Sequence, residues 1–278
     1  MMEFRHEFVM PNENLPFRMF LFEGKDGSYK VNKHWHQSIE IFLVQTGHIT
    51  FYIDSQQFPI SDKDFIIVNS NEIHSIDAPF ENETIVIQIP LQAFEGLFLD
   101  EQLINFDKQS QELNQRLIEL IEQMFKAYEA QEEGYLFYVK SRFYELLYLL
   151  CKAFKSGQLD ESLLLQKRQL HRLSYITSYM EQHYQEEITL PKIAAIFGFS
   201  PTYLSRIFHQ YAQLSFQTYL FDIRVMHAAR ELLNTDHSIN EIAMEHGFSD
   251  SRAFSKAFAK RYGCLPSKYR KMKENTVK

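Results

Sequence analysis

Ile193-Ala194, Gly198-Phe199-Ser200 and Leu204-Ser205-Arg206-Ile207-Phe208 follow one another in that order. Ile242-Ala243, Gly247-Phe248-Ser249 and Phe254-Ser255-Lys256-Ala257-Phe258 repeat them. The offset is 49 residues through the Gly-Phe-Ser and 50 after it, because the second copy carries one extra residue. The stretch 188–270 therefore holds one unit twice. Each copy reads as helix, tight turn, helix. Leu190 to Phe197 is a short apolar-periodic run with Pro191 in its first turn, a position proline suits. Gly198 and Gly247 stand where a helix stops and the backbone needs a positive φ. Ser200 is placed to cap the next helix, with Pro201 behind it; Ser238 and Glu241 form a capping box, and Ser249 is expected to cap the last helix of the pair.

The second helix of each pair carries two unlike faces. Leu204, Ile207, Phe208 and Tyr211 share one side at helical spacing, and Thr202, Ser205, Arg206 and His209 the other. In the second copy Phe254, Ala257, Phe258 and Tyr262 pack while Arg252, Ser255, Lys256 and Lys260 point out. For a single copy a solvated helix face explains such a row equally well. Two copies joined by one helix favour entry into a DNA major groove. The joining run, Phe216 to Leu233, has no internal Gly or Pro. Its eighteen residues span roughly 27 Å at 1.5 Å each. With flanking turns that holds two recognition helices about one duplex turn, roughly 34 Å, apart.

The C-terminal stretch resembles the AraC/XylS-type transcriptional regulators. The matching signature is Ala229-Arg230-Glu231-Leu232-Leu233, Ile239-Asn240-Glu241-Ile242-Ala243, Gly247-Phe248-Ser249-Asp250, Phe254-Ser255-Lys256-Ala257-Phe258, Gly263, Pro266-Ser267 and Tyr269-Arg270. By position, the resemblance puts base contacts on Thr202, Ser205 and Arg206, then on Arg252, Ser255 and Lys256; Tyr203, His209 and Lys260 complete the expected DNA-binding set. Three residues depart from the family pattern. Gln213 stands where glycine is frequent, Ala253 where an aromatic is common, and His209 where a lysine is common.

Net charge of -7 argues against nucleic acid, but its distribution reverses the argument. From residue 169 on there are 14 basic and 10 acidic residues; before it, 15 basic and 26 acidic. A basic end on an acidic body localises the expected contact with double-stranded DNA. No run of eighteen apolar residues is present, so no membrane span is expected, and the start lacks a signal peptide's apolar stretch. Cys151 and Cys264 lie far apart and suggest no disulfide framework. The expected location is the cytoplasm.

The expected fold class is α+β and multidomain: an N-terminal cupin-like β-barrel with a helical dimerisation segment, then an all-α domain with two helix-turn-helix motifs. Residues 1–16 read as an arm, either disordered or folded over a pocket. Residues 17–95 read as the effector-binding domain, 96–156 as the dimerisation segment, 157–168 as a linker, and 169–273 as the DNA-binding domain with its motifs at 190–211 and 239–262. In the barrel, short apolar runs at Phe17–Phe22, Ile39–Val44, Ile49–Ile53, Phe58–Ile60, Phe65–Val68 and Thr84–Ile89 alternate with turn residues. His34-Trp35-His36, Glu40 and His74 resemble the cupin pattern of two histidines, a glutamate and a distant histidine, although Lys63-Asp64 stands where Gly-Asp is usual.

Three uses of that cluster stay open: a divalent metal site of His34, His36, Glu40 and His74, a metal-free pocket for a polar small molecule such as a sugar, or histidines satisfied in the core. Trp35 and Tyr52 join the ligand-binding set as stacking platforms, with core packing as their plainer role. The reading is a regulator, not an enzyme, with no required cofactor. Its rival is a metal-dependent cupin enzyme or metal sensor carrying a DNA-binding domain. Helical stripes at Leu113, Leu117, Leu120, Met124 and Ala127, then Leu136, Phe143, Leu147, Leu150 and Phe154, either pack on the barrel or pair with a second subunit. The resemblance favours a homodimer, and RNA polymerase as a partner if the protein activates.

Overall fold

The computed structural model describes residues 5–7, 9–25, 29–53, 56–94, 105–155, 173–212 and 214–274. The chain divides into two compact units, residues 1–171 and 172–278. The linker expected at 157–168 and Gln213 lie outside the described residues.

The first unit is two facing sheets. Strands β1 (Arg5–His6), β2 (Arg18–Glu23), β3 (Tyr29–Trp35), β4 (Ile39–Gly47), β5 (Ile49–Ile53), β6 (Gln56–Ile60), β7 (Asp64–Val68), β8 (His74–Ala78) and β9 (Asn82–Ile89) sort into the orders β1-β3-β8-β5-β6 and β2-β9-β4-β7. All pairings are antiparallel except β1 with β3. Within β4, Ile39 to Val44 is buried without a break. A strand reads that way when both faces are covered. Phe42 and Val44 meet Phe51, Ile76 and Val86 between the sheets, while Ile39, Ile41 and Leu43 pack outward against helices. Those helices are α1 (Gln111–Ala130) and α2 (Tyr135–Leu149), the latter running on as a π-turn over Leu150–Phe154.

Several boundaries differ from expectation. Strand β4 runs past the apolar stretch Ile39–Val44 to Gly47, where the register shifts between Val44 and Thr46 and Gly47 takes φ 96° against the backbone of Glu81 and Asn82. Lys63, where the resemblance leads one to expect glycine, adopts a left-handed backbone at φ 59°, a conformation glycine takes most readily. Strand β8 has no apolar run to announce it; only Ile76 and Ala78 alternate with polar residues.

The apolar stripes of α1 and α2 are spent inside this unit: Leu117, Leu120, Met124, Phe143, Leu147, Leu150 and Phe154 are buried with Met19, Phe65 and Ile87 in one core. Leu113, Ala127 and Leu136, from the same stripes, are partly buried against that core. The opposite face of α2 exposes Phe137 (81%), Tyr144 (63%) and Tyr148 (56%), at i, i+7 and i+11 on one side of the helix.

The second unit is all helical. It comprises α3 (residues 173–182), α4 (Leu190–Ile196), α5 (Pro201–Ile207), α6 (Phe216–Asn234), α7 (Ile239–Glu245), α8 (Ser251–Tyr262) and α9 (Pro266–Glu274), with a π-turn over Phe208–Ala212 after α5. Among the described residues, no helix is long and apolar enough to cross a membrane.

Candidate DNA interface and effector pocket

The two helix-turn-helix copies close with the same hydrogen bonds. Phe199 N donates to Ala194 O at 2.7 Å and Gly198 N to Ala195 O at 3.4 Å. Phe248 N donates to Ala243 O at 2.9 Å and Gly247 N to Met244 O at 3.1 Å. This double bond around a left-handed residue is the Schellman ending, and Gly198 (φ 70°) and Gly247 (φ 76°) supply it. Ser200 Oγ then accepts from Tyr203 N at 3.2 Å, and the Ser238–Glu241 capping box is complete. In the second copy the cap is Asp250, not Ser249: Ala253 N donates to Asp250 Oδ1 at 2.7 Å. The extra residue falls before the helix, so the cap follows the offset of 50. A carboxylate also suits the positive end of a helix, and those bonds hold Asp250 below the usual carboxylate range.

Each recognition helix is pinned by its apolar side. Leu204, Ile207 and Phe208 are buried in the first copy, Phe254 and Phe258 in the second. Thr202, Ser205, Arg206 and His209 are exposed on α5 and the turn after it; Arg252, Lys256 and Lys260 are exposed on α8. Ser255 and Tyr203 are half-buried. Tyr203 packs on Phe199, and the Arg206 guanidinium lies 5.3 Å over the Tyr203 ring centre. Arg252 lies close enough to Asp250 to help hold its carboxyl down.

The two copies are joined by more than α6. Arg224, on α6 and 7% exposed, donates from Nε to Tyr184 O and from Nη2 to Glu186 O, both at 2.7 Å. Gly247 sits on the same joint: a Cβ there would meet Gln185 O at 2.8 Å and Arg224 Nε at 3.0 Å. Tyr184 is stacked between His227 at 4.1 Å and His246 at 5.8 Å. Burial, with the charges of His246 and Arg230, pushes His227 down to about 4. Nothing in the residue pattern announced this clamp, since it links a loop to a helix 38 to 40 residues away.

In the barrel, His34, His36 and His74 converge, with ring centres 4.1 to 5.8 Å apart. Each Nδ1 faces a backbone carbonyl, of Asn32, Ser38 and Glu72 respectively, at 2.9 to 3.0 Å. A carbonyl only accepts, so each Nδ1 carries the proton and each Nε2 points to the cluster centre. There His36 Nε2 meets Glu40 Oε2 at 2.8 Å, and His74 Nε2 approaches the same oxygen at 3.4 Å. Gln88 Nε2 donates to Glu40 Oε1 at 2.8 Å, while Glu7 Oε2 lies 3.0 Å from His34 Nε2. Burial opposes ionisation of Glu40, yet His36 and His74 outweigh it and hold the carboxyl well below the usual range. Gln88 and Glu7 were not read from sequence; Gln88 comes to Glu40 only through the β4–β9 register.

A cavity of about 540 Å³, its mouth included, opens beside this cluster. Its polar wall is Glu7, His34, Glu40 and Gln88; Phe20, Phe22, Tyr29, Phe42 and Val86 supply the apolar wall. Trp35 and Tyr52 are not among its lining. Strand alternation explains both: Trp35 stands between two inward histidines and is fully buried elsewhere, and Tyr52 follows Phe51, which fills the space between the sheets.

Comparison with known proteins matches residues 13–147 to the AraC-like ligand binding domain and residues 193–272 to a helix-turn-helix domain. The HTH-type transcriptional activator RhaS of Enterobacter sp. (strain 638) is 27% identical over 256 residues, covering 88% of this chain and 89% of that protein. The Msm operon regulatory protein of Streptococcus mutans is 35% identical over 132 residues, 48% of this chain and 46% of its own length. Among solved structures, the C-terminal domain of the response regulator AraT from Geobacillus stearothermophilus is 35% identical, covers 36% of this chain and 84% of that one, and has a TM-score of 0.35.

Proposed function

This chain belongs to the AraC-type family of DNA-binding transcription regulators with a ligand-binding domain, and from that premise we propose that the rows on α5 and α8 read operator DNA while the barrel cavity senses a small neutral molecule. One observation carries the DNA part: the two duplicated helices expose Arg206 and Thr202, then Arg252 and Lys256, on faces opposite their buried anchors. Thr202, Ser205, Arg206, Arg252, Ser255 and Lys256 reach base edges in this reading; Tyr203, His209 and Lys260 flank them. Base contacts specify and phosphate contacts position.

The charge of the cavity wall selects the effector. Two carboxylates and no Lys or Arg line it among the described residues, which disfavours anions. Hydroxyl groups donating to Glu7 and Glu40, with an apolar face on Phe20 and Phe22, fit a sugar or polyol. The histidines are engaged by carbonyls and carboxylates rather than held free for turnover, which supports a sensor over an enzyme. Glu7, in the arm, touches His34 of the pocket, so an occupant there meets the arm directly. Mechanistically the ligand shifts a population between DNA-binding states, and coupling of this kind is typically about 1–3 kcal/mol. The exposed Phe137, Tyr144 and Tyr148 support a homodimer formed through α2. A cytoplasmic location, and RNA polymerase as partner if the protein activates, complete the proposal.

Selection of bound duplexes from a random pool, followed by binding titration with and without sugars and polyols, tests it. The expected result is a defined sequence whose affinity one such compound changes 5-fold or more. Binding without sequence preference, or indifference to every neutral compound, refutes it. Sedimentation of Phe137→Asp and Tyr144→Asp as monomers, beside a dimeric wild type, tests the dimer.

A second reading is favoured by the ring orientations: with each Nδ1 against a backbone carbonyl, the Nε2 atoms of His34, His36 and His74 face one another, His36 and His74 beside Glu40 and His34 beside Glu7, as ligands of a divalent metal would. Elemental analysis with a His34→Ala control separates it from the first. Metal present stoichiometrically and lost in the variant supports a metal sensor.

A further inference from the structure

A second group of metal-type ligands lies far from the barrel in the chain, at the base of the second helix-turn-helix. Glu231 stands on the last turns of α6, His237 in the loop that follows, and Glu245 at the end of α7. Their ligand atoms all lie within 4.8 Å of one another. His237 Nδ1 is 2.7 Å from Glu231 Oε1 and 3.9 Å from Glu245 Oε2. Donors around a four-coordinate Zn2+ at about 2.0–2.2 Å stand roughly 3.3–3.6 Å apart, so the observed separations straddle the required one. Small side-chain rotations close the difference, because His237 and Glu245 are half exposed.

Three independent features suit a cation. First, two carboxylates face each other across the cluster. Like charges this close are relieved by a cation between them. Second, Glu231 is oriented from behind by a buried imidazole: His246, 6% exposed, places Nε2 2.7 Å from Glu231 Oε2 and is held in its stack on Tyr184. Buried groups that orient a ligand in this way accompany bound metals. Third, the loop is fixed before any ligand arrives. Arg270 donates from Nη2 to His237 O at 2.6 Å and from Nε to Leu232 O at 3.1 Å, and the Ser238–Glu241 capping box closes its far end. Glu241 is occupied in that box and is not a ligand. Arg270 is the nearby opposing charge, and it is turned to the carbonyls.

We propose that Glu231, His237 and Glu245 bind a divalent transition metal ion such as Zn2+, with His246 as the group that orients Glu231. The ion takes the place between His237 Nδ1 and Glu231 Oε1, and the imidazole keeps its proton on Nε2. It ties the end of α6 to the end of α7 and so stiffens the motif that presents α8. This proposal is independent of what the barrel senses.

Isothermal titration of Zn2+ into tag-free, chelator-treated full-length protein tests it, with His237→Ala, Glu245→Gln and His34→Ala as comparisons. His237 and Glu245 are exposed enough for both variants to fold, which circular dichroism checks. The expected result is that each of these two loses one Zn2+ equivalent, or binds it at least about 10-fold more weakly, while His34→Ala keeps it. Wild-type protein that takes up no Zn2+, or His237→Ala and Glu245→Gln that bind as the wild type does, overturns the proposal.

Discussion

Arg224→Met removes the guanidinium that joins the two halves of the DNA-binding unit while leaving a side chain of similar length. Two hydrogen bonds at 2.7 Å are lost, to Tyr184 O and Glu186 O. A bond from a charged donor contributes about 1.5–3 kcal/mol, and each carbonyl left unpaired in a buried place forfeits about 1–3 kcal/mol. These are two views of one loss, so they are not summed. The expected destabilisation is about 3–5 kcal/mol, reduced to the extent that water reaches the carbonyls. For a unit of about a hundred residues, that lowers Tm by more than about 10 °C. Thermal unfolding followed by circular dichroism reads the effect. Gly247→Ala attacks the same joint from the other side, because its Cβ meets backbone oxygen at 2.8 Å where φ is 76°. The double variant should lose less than the two single losses combined. An Arg224→Met protein within about 1 kcal/mol of wild type refutes the argument that these carbonyls depend on Arg224.

Two further predictions concern the same unit. Asp250→Ala should cost about 1 kcal/mol through loss of the α8 cap, whereas Ser249→Ala should be nearly neutral; equal effects in denaturant titration would contradict the cap assignment. Burial pushes the Glu181 carboxyl up to about 7, against a hydrogen bond from Tyr219 that pulls it back. A carboxyl raised in the folded state favours folding below its ordinary range, and that contribution is lost as pH rises through about 7. Glu181→Gln should therefore stabilise the protein at pH 8 but not at pH 4.5, by about 1–3 kcal/mol, discounted because the residue is half-buried. A pH-independent difference between the two proteins would count against it.

What could be read in advance followed how local the signal was. The helix-turn-helix pairs were legible because Gly198, Gly247, Ser200 and Ser238 act on neighbours a few residues away. The Asp250 cap was missed although the offset of 50 beyond the Gly-Phe-Ser pointed to it. In the barrel, His34, His36, Glu40 and His74 were found by their pattern, and the fold brings them together. Gln88 and Glu7 were invisible because strand pairing, not spacing, delivers them. Trp35 and Tyr52 were read for their chemistry, when alternation already turned them from the cavity. The stripes on α1 and α2 showed that the helices bury a face, but not against what; the sheet takes that face, and the aromatic side left over is on α2.

The central claim is that duplicated rows on α5 and α8 enter successive major grooves. Hydroxyl-radical footprinting of a selected operator, for wild type, Arg206→Ala and Lys256→Ala, tests it most directly. Two protected patches about one helical turn apart on one face of the duplex are expected, with Arg206→Ala losing one patch and Lys256→Ala the other. A single patch, or protection that neither substitution changes, contradicts it.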